Sequence, residues 1–233
     1  RIKAMFPKIP SSKEFDFHIL FEPIDEIGGD FYDYIPLEEG QYGIVIGDVT
    51  GHGIEAAVVM GMVKSVIKIM AKNFDSATEV LEYANRELSP DMDSTTFTTV
   101  TYGILDANKK SFRFARAGHN PLILFNPCRT PSLVSFAPKG TILGVPWALN
   151  VDEIEIQLKP GDVLVQYTDG ITEIKSKKGE EFGFERLCEV IENQKKDVTS
   201  KEIADNIKNE VLSFNKDMDG RDDITLLIVK LRE

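Results

Sequence analysis

Between Phe97 and Tyr167 the chain is a succession of short apolar or alternating runs with no helix-period segment among them. The runs are Phe97–Leu105, Phe112–Ala117, Leu122–Phe125, Leu133–Phe136, Glu153–Leu158 and Asp162–Tyr167. Runs of this length and pattern are strand signals. Asp106-Ala107-Asn108-Lys109-Lys110 and Gly118-His119-Asn120-Pro121 supply turn residues between neighbours, the second reading as a hairpin turn. Strands joined by short turns pair antiparallel, because a parallel pair needs a crossover of about a dozen residues or more. Phe15–Phe21, Tyr42–Asp48 and Ile224–Leu231 add further strands.

Helices fall outside this block. Ala56–Lys72 carries Val59, Met62, Val63, Val66, Ile67 and Met70 on an apolar face, with Lys64, Lys68 and Lys72 stacked on another. Ser76-Ala77-Thr78-Glu79 and Thr199-Ser200-Lys201-Glu202 read as capping boxes opening two more, through Leu88 and Leu212. A further helix covers Phe184–Asn193. The order predicts antiparallel sheets flanked by helices, an α+β layered domain. Residues 1–13 read as a linker or the end of an upstream helix, and 14–233 as one domain. A start at Arg1 is expected for a fragment of a longer protein.

A net charge of −11 argues against nucleic acid as substrate or partner, since phosphate-backbone binding needs clustered Lys and Arg. No apolar run approaches the roughly 20 residues of a membrane-spanning helix, and the N-terminus lacks a signal-peptide core. Cys128 and Cys188 have no metal-ligand spacing and read as reduced thiols, Cys188 on a buried helix face. The expected compartment of this domain is the cytoplasm, although the full-length protein could be membrane-attached.

Four aspartates sit in short glycine- or hydroxyl-rich contexts spread along the chain. They are Asp30 after Gly28-Gly29, Asp48 in Gly47-Asp48-Val49-Thr50-Gly51-His52-Gly53, Asp169 in Tyr167-Thr168-Asp169-Gly170, and Asp222 in Gly220-Arg221-Asp222-Asp223. Taken singly, an Asp-Gly pair is more often a turn than a ligand. Asp48 and Asp169, however, each follow an apolar strand, where a sheet delivers its next side chain to an edge. Gathered carboxylates resist ionising together unless a cation compensates them. Mg²⁺ or Mn²⁺, hard ions with oxygen ligands, fit that need and point to a hydrolase acting on phosphate.

Other motifs carry less. Gly51-His52-Gly53-Ile54-Glu55-Ala56 fits the form of a dinucleotide fingerprint, but Asp48 would oppose a pyrophosphate and no second βαβ crossover follows. Asp217-Met218-Asp219-Gly220 lacks the spacing and closing Glu of a calcium loop. His18 reads as structural, His119 as a loop-holding hydrogen-bonding group, and His52 as either a helix-entry residue or a general acid.

Taken together, Ile27-Gly28-Gly29-Asp30-Phe31-Tyr32-Asp33, Gly47 to Gly53, Ala117 to Pro121, Lys159 to Val165, Tyr167 to Gly170 with Glu173, and Gly220 to Thr225 resemble the PPM-type (type 2C) metal-dependent serine/threonine phosphatases. The resemblance is to the bacterial branch typified by stage II sporulation protein E and the stress-regulator phosphatases. It implies a four-layer α-β-β-α sandwich of two antiparallel sheets flanked by helices. It implies two ions, Mn²⁺ or Mg²⁺, with Asp48 bridging them, Asp30 and the Val49 carbonyl on one, and Asp169 with Asp222 on the other. Asp223 falls where relatives vary between Asp and Asn.

The implied reaction is hydrolysis of phosphoserine or phosphothreonine by a metal-activated water, without a covalent intermediate. The implied substrate is a phosphorylated anti-sigma-factor antagonist in a partner-switching pathway, with an upstream sensor or regulatory domain and a homodimer as further partners. Two positions depart from the eukaryotic pattern. No Arg precedes Gly28 in the phosphate-binding position, and Thr50 replaces the His that follows the metal-binding pair. The alternatives are a latent or non-catalytic partner-binding module of the same fold, and a two-metal hydrolase of small phosphoesters.

Overall fold

The structure, a computed structural model, describes residues 6–24, 28–93, 95–215 and 222–233. Its strands are β1 (Phe15–Glu22), β2 (Phe31–Pro36), β3 (Gln41–Val49), β4 (Thr98–Asp106), β5 (Ser111–Ala117), β6 (Leu122–Phe125), β7 (Leu133–Phe136), β8 (Glu153–Gln157), β9 (Val163–Tyr167) and β10 (Ile224–Leu231). Its helices are α1 (Gly53–Met70), α2 (Ala77–Leu88), α3 (Asp169–Thr172), α4 (Gly183–Glu192) and α5 (Ser200–Phe214). The strands form two five-stranded sheets, ordered β2-β3-β4-β5-β8 and β1-β10-β9-β6-β7, and every paired neighbour is antiparallel. The α+β class with two antiparallel sheets and attendant helices is as the strand order predicts.

The chain divides into two compact units, one drawn from residues 1–8, 25–119 and 137–158, the other from 9–24, 120–136 and 159–233. In the first, α1 and α2 lie on the sheet through Met60, Val63 and Ile67, then Val80, Leu81 and Ala84, against Val45, Val100, Tyr102 and Ala115. Burying such side chains contributes roughly 1.5–3 kcal/mol each. Asn85 is buried in α2 and holds the 144–147 segment from both ends of its amide: Nδ2 donates to the carbonyls of Val145 (3.0 Å) and Trp147 (3.1 Å), and Oδ1 accepts from the N–H groups of Gly144 (2.8 Å) and Val145 (3.0 Å). In the second unit, α4 and α5 cover their sheet through Leu187, Ile191, Ile203, Ile207 and Val211 against Val165, Leu226 and Ile228.

Several local expectations change. The strand β2 has no period-two signature, since Tyr32, Asp33 and Tyr34 are buried in succession. Lys64 leaves the predicted polar stripe of α1: it is buried and paired with Asp33 at 3.1 Å. Of the two predicted capping boxes, that of Thr199 and Glu202 is fully reciprocal. At α2, Ser76 accepts from the Glu79 N–H, but Glu153 of β8 replaces Glu79 as the acid, accepting from Ser76 Oγ and the Ala77 N–H. Residues 118–121 make no hairpin, because β5 and β6 lie in different sheets. Cys128 is exposed and Cys188, on α4, partly buried, both free. Among the described residues no helix is long and apolar enough to cross a membrane.

Candidate functional site

In the first unit the β2–β3 ladder runs from Pro36↔Tyr42 to Phe31↔Gly47. Gly47 is required there: a Cβ would meet the Phe31 ring at 2.5 Å and the Thr99 carbonyl oxygen at 2.7 Å. One step beyond the ladder stand Asp30, 2% exposed, and Asp48, half-buried in β3. The Val49 N–H donates to the Gly29 carbonyl at 3.2 Å, carrying the pairing on past Asp30.

Three oxygens converge on the bare Cα of Gly29. A Cβ built there would lie 2.3 Å from the Val49 carbonyl oxygen, 2.8 Å from Asp48 Oδ1 and 3.3 Å from the Gly51 carbonyl oxygen. An oxygen-only donor set is what a hard divalent cation takes, so the residues fit such an ion. Thr50 cannot stand in for the eukaryotic histidine. Its N–H donates to the Phe97 carbonyl at 3.0 Å and its Oγ1 exchanges hydrogen bonds with Phe97, fastening the loop to the start of β4. His52 is exposed and precedes α1 in an extended conformation without a capping bond. His119 is buried and its Nδ1 lies 2.9 Å from Thr99 Oγ1, on the residue opposite Asp48 in the β3–β4 register. It holds its loop, as its context in the sequence suggests.

The second unit carries the other pair. Asp169 opens α3 directly after β9, and Asp222 stands just before β10. Between them the strands are fastened by Thr168 N–H to the Thr225 carbonyl and by Thr225 N–H to Thr168 Oγ1, both 3.0 Å. Gly170 lets α3 approach that chain: a Cβ would be 1.9 Å from the Asp223 carbonyl oxygen. Burial, and then the charge of Asp222, push the Asp169 carboxyl up. Glu173 is raised by burial and then by Asp169, Glu181 and Asp222. A cation beside carboxylates crowded in this way would favour their ionised forms.

Asp223 does a different job, accepting the Ile24 N–H on Oδ1 at 2.8 Å. His18 lies in β1, where burial pushes its imidazole down. Gly220, Arg221 and the rejected calcium-loop residues 217–220 lie outside the described residues, as does Ile27 of the first motif. Among the described residues, no three or more His, Cys, Asp and Glu side chains are grouped to hold an ion by themselves. Each unit therefore presents two of the expected aspartates. The sequence missed Gly29 as the cradle and Lys64 as the partner of Asp33; the Gly28-Gly29 doublet was the signal for the first, and nothing local marks the second.

The chain is 27% identical over 225 residues to phosphoserine phosphatase RsbU of Bacillus subtilis, covering 96% of this chain and 65% of that protein. The chain thus spans less than two thirds of that relative. Among solved structures it resembles the SiaA-PP2C domain of Pseudomonas aeruginosa, with a TM-score of 0.82 at 21% identity over 92% of this chain and 85% of that one. RsbX solved in complex with magnesium has the same fold, with a TM-score of 0.66 at 14% identity over 96% and 98% of the two chains. Residues 38–232, which include Asp48, Asp169 and Asp222, match the family model described as stage II sporulation protein E (SpoIIE), and the chain belongs to that family.

Proposed function

We propose that residues 14–233 are a metal-dependent serine/threonine phosphoprotein phosphatase using two ions, Mn²⁺ or Mg²⁺. The observation that carries this is the convergence of Asp48 Oδ1 and the Val49 and Gly51 carbonyl oxygens on Gly29, in a chain homologous to a phosphoserine phosphatase. Asp30, Asp48 and the Val49 carbonyl would hold one ion, and Asp169 with Asp222 the other. Bound, the ions would lower the pKa of a coordinated water and neutralise the transferring phosphoryl group. The residues themselves supply rigid placement: the Val49–Gly29 hydrogen bond fixes the Asp48 end of β3, and Gly170 fixes Asp169 close to Asp222. Burial and the charge of Asp222 push the Asp169 carboxyl up, and a cation joining the pair would favour its ionised form.

The substrate class that the family resemblance implies is a small cytoplasmic phosphoserine or phosphothreonine protein of a partner-switching pathway, an anti-sigma-factor antagonist. Regulatory segments elsewhere in a longer chain and a homodimer belong to the same proposal. Hydrolysis of para-nitrophenyl phosphate, with Mn²⁺, with EDTA and with Asp169→Asn, is the test. Turnover that needs Mn²⁺ and disappears in Asp169→Asn is expected. A folded protein inactive in every condition would favour a partner-binding module.

A further inference from the structure

Lys64 is a buried cation that the proposed chemistry does not use. It sits in α1, and its ammonium reaches β2: it pairs with Asp33 Oδ2 at 3.1 Å, both side chains 7% exposed, and donates to the Tyr32 carbonyl. The Phe6 ring lies 4.9 Å and the Tyr32 ring 5.9 Å from the same nitrogen, and those rings stack 5.0 Å apart. Lys64 is therefore enclosed by one carboxylate, one carbonyl and two aromatic faces. Burial pushes its ammonium down, and Asp33 partly offsets that.

Stability alone does not account for this arrangement. Replacing a buried ion pair by apolar side chains of similar volume is often neutral or stabilising. What the pair adds is a directional tie between two particular elements. The first is α1, which starts at Gly53, with three residues between it and the end of β3 at Val49. The second is β2, which leaves directly from Asp30. Past Phe31↔Gly47 the described pairing of these segments continues through the 3.2 Å Val49–Gly29 bond. A charged tie resists sliding of α1 along β2, whereas an apolar contact tolerates repacking.

We infer that Lys64 is a positioning residue that, through Asp33 and the Tyr32 carbonyl, keeps the Asp48–Val49 end of β3 in register with Gly29 and Asp30. Its effect on ion binding rests on the phosphatase assignment; its effect on register does not.

Two readouts separate the two. Amide hydrogen exchange at Val49, measured by NMR without metal, reports the Val49–Gly29 contact directly. Mn²⁺ affinity, measured by titration calorimetry, reports the oxygen cradle. Lys64→Met is the first variant. Lys64→Met with Asp33→Leu is the second, removing both charges so that no buried carboxylate is stranded and the fold is kept.

In the double variant we expect the melting temperature within a few degrees of wild type, Val49 exchange at least tenfold faster, and Mn²⁺ binding at least tenfold weaker. Amides of the β4–β5 ladder should keep their rates. Wild-type exchange at Val49 in the double variant would overturn the positioning role, leaving Lys64 as packing alone. A wild-type protein that binds no Mn²⁺ would instead sink the metal assignment, and Val49 exchange would still decide the role of Lys64.

Discussion

Gly29→Ala adds one methyl group where three oxygens already stand. The new carbon would be 2.3 Å from the Val49 carbonyl oxygen and 2.8 Å from Asp48 Oδ1. An ordinary carbon–oxygen contact is about 3.4 Å, so the carbonyl must retreat by about 1 Å against the van der Waals wall. The Val49 N–H is hydrogen-bonded to the Gly29 carbonyl, so the two strands cannot simply part. Overpacking of this kind costs about 1–3 kcal/mol of stability, a shift of several degrees in Tm for a chain of this size.

The effect on turnover should be separable from that loss. Displacing a reacting group's support by about 1 Å can cost about a hundredfold in rate, or about 2.7 kcal/mol of transition-state stabilisation. Gly179→Ala is the control: its φ is +79° but a Cβ meets nothing within 4 Å, so it carries backbone strain without displacing an oxygen. We expect Gly29→Ala, still folded at 20 °C by circular dichroism, to lose about a hundredfold in kcat/KM on para-nitrophenyl phosphate. Its Mn²⁺ affinity should fall at least tenfold, while Gly179→Ala keeps both. Wild-type Mn²⁺ affinity and turnover in folded Gly29→Ala would refute the cradle.

Two further outcomes test the packing around these elements. Asn85→Ala strips four hydrogen bonds from the 144–147 segment and should cost about 2–4 kcal/mol in urea denaturation, since buried backbone groups lose their partners. Asp93 is held down at about 2 by the Thr95 hydroxyl and N–H and by Thr96. A depressed carboxyl stabilises the folded state above its ordinary value of 3.8 and loses that contribution as pH falls toward about 2. The stability gap between wild type and Asp93→Ala should therefore be full at pH 5 and shrink progressively below pH 4 in urea titrations.

What was legible in the sequence was what neighbouring residues decide. The capping box of Thr199 and Glu202 is complete within four residues, and the structure keeps it. The long strands declare themselves because each supplies its own apolar run. The β2 strand was not legible because Asp33, which breaks its pattern, is satisfied by a lysine thirty-one positions along, and that lysine in turn looks like one of a surface series. Glu153 took the capping role of Glu79 for the same reason: a partner brought by the fold outcompeted the one in the local motif. The aspartates were legible as candidates because each has a glycine or hydroxyl context. The reason for Gly29 was not, since it lies in the oxygens of a strand 20 residues further on.

The strand order also sets a timetable for synthesis. Every strand of the β2-β3-β4-β5-β8 sheet has left the ribosome once Gln157 has emerged. The other sheet begins with β1, whose Phe15 pairs with Leu231 of β10, a separation of 216 residues. Within this domain β1 thus waits for β10, its buried Phe15 and Phe17 without their strand partner until Leu231 has been made. A ribosome that stalls after Gln157 would release a chain that can complete the Asp30–Asp48 sheet yet has no partner for β1, leaving an open edge that invites pairing with a second nascent chain.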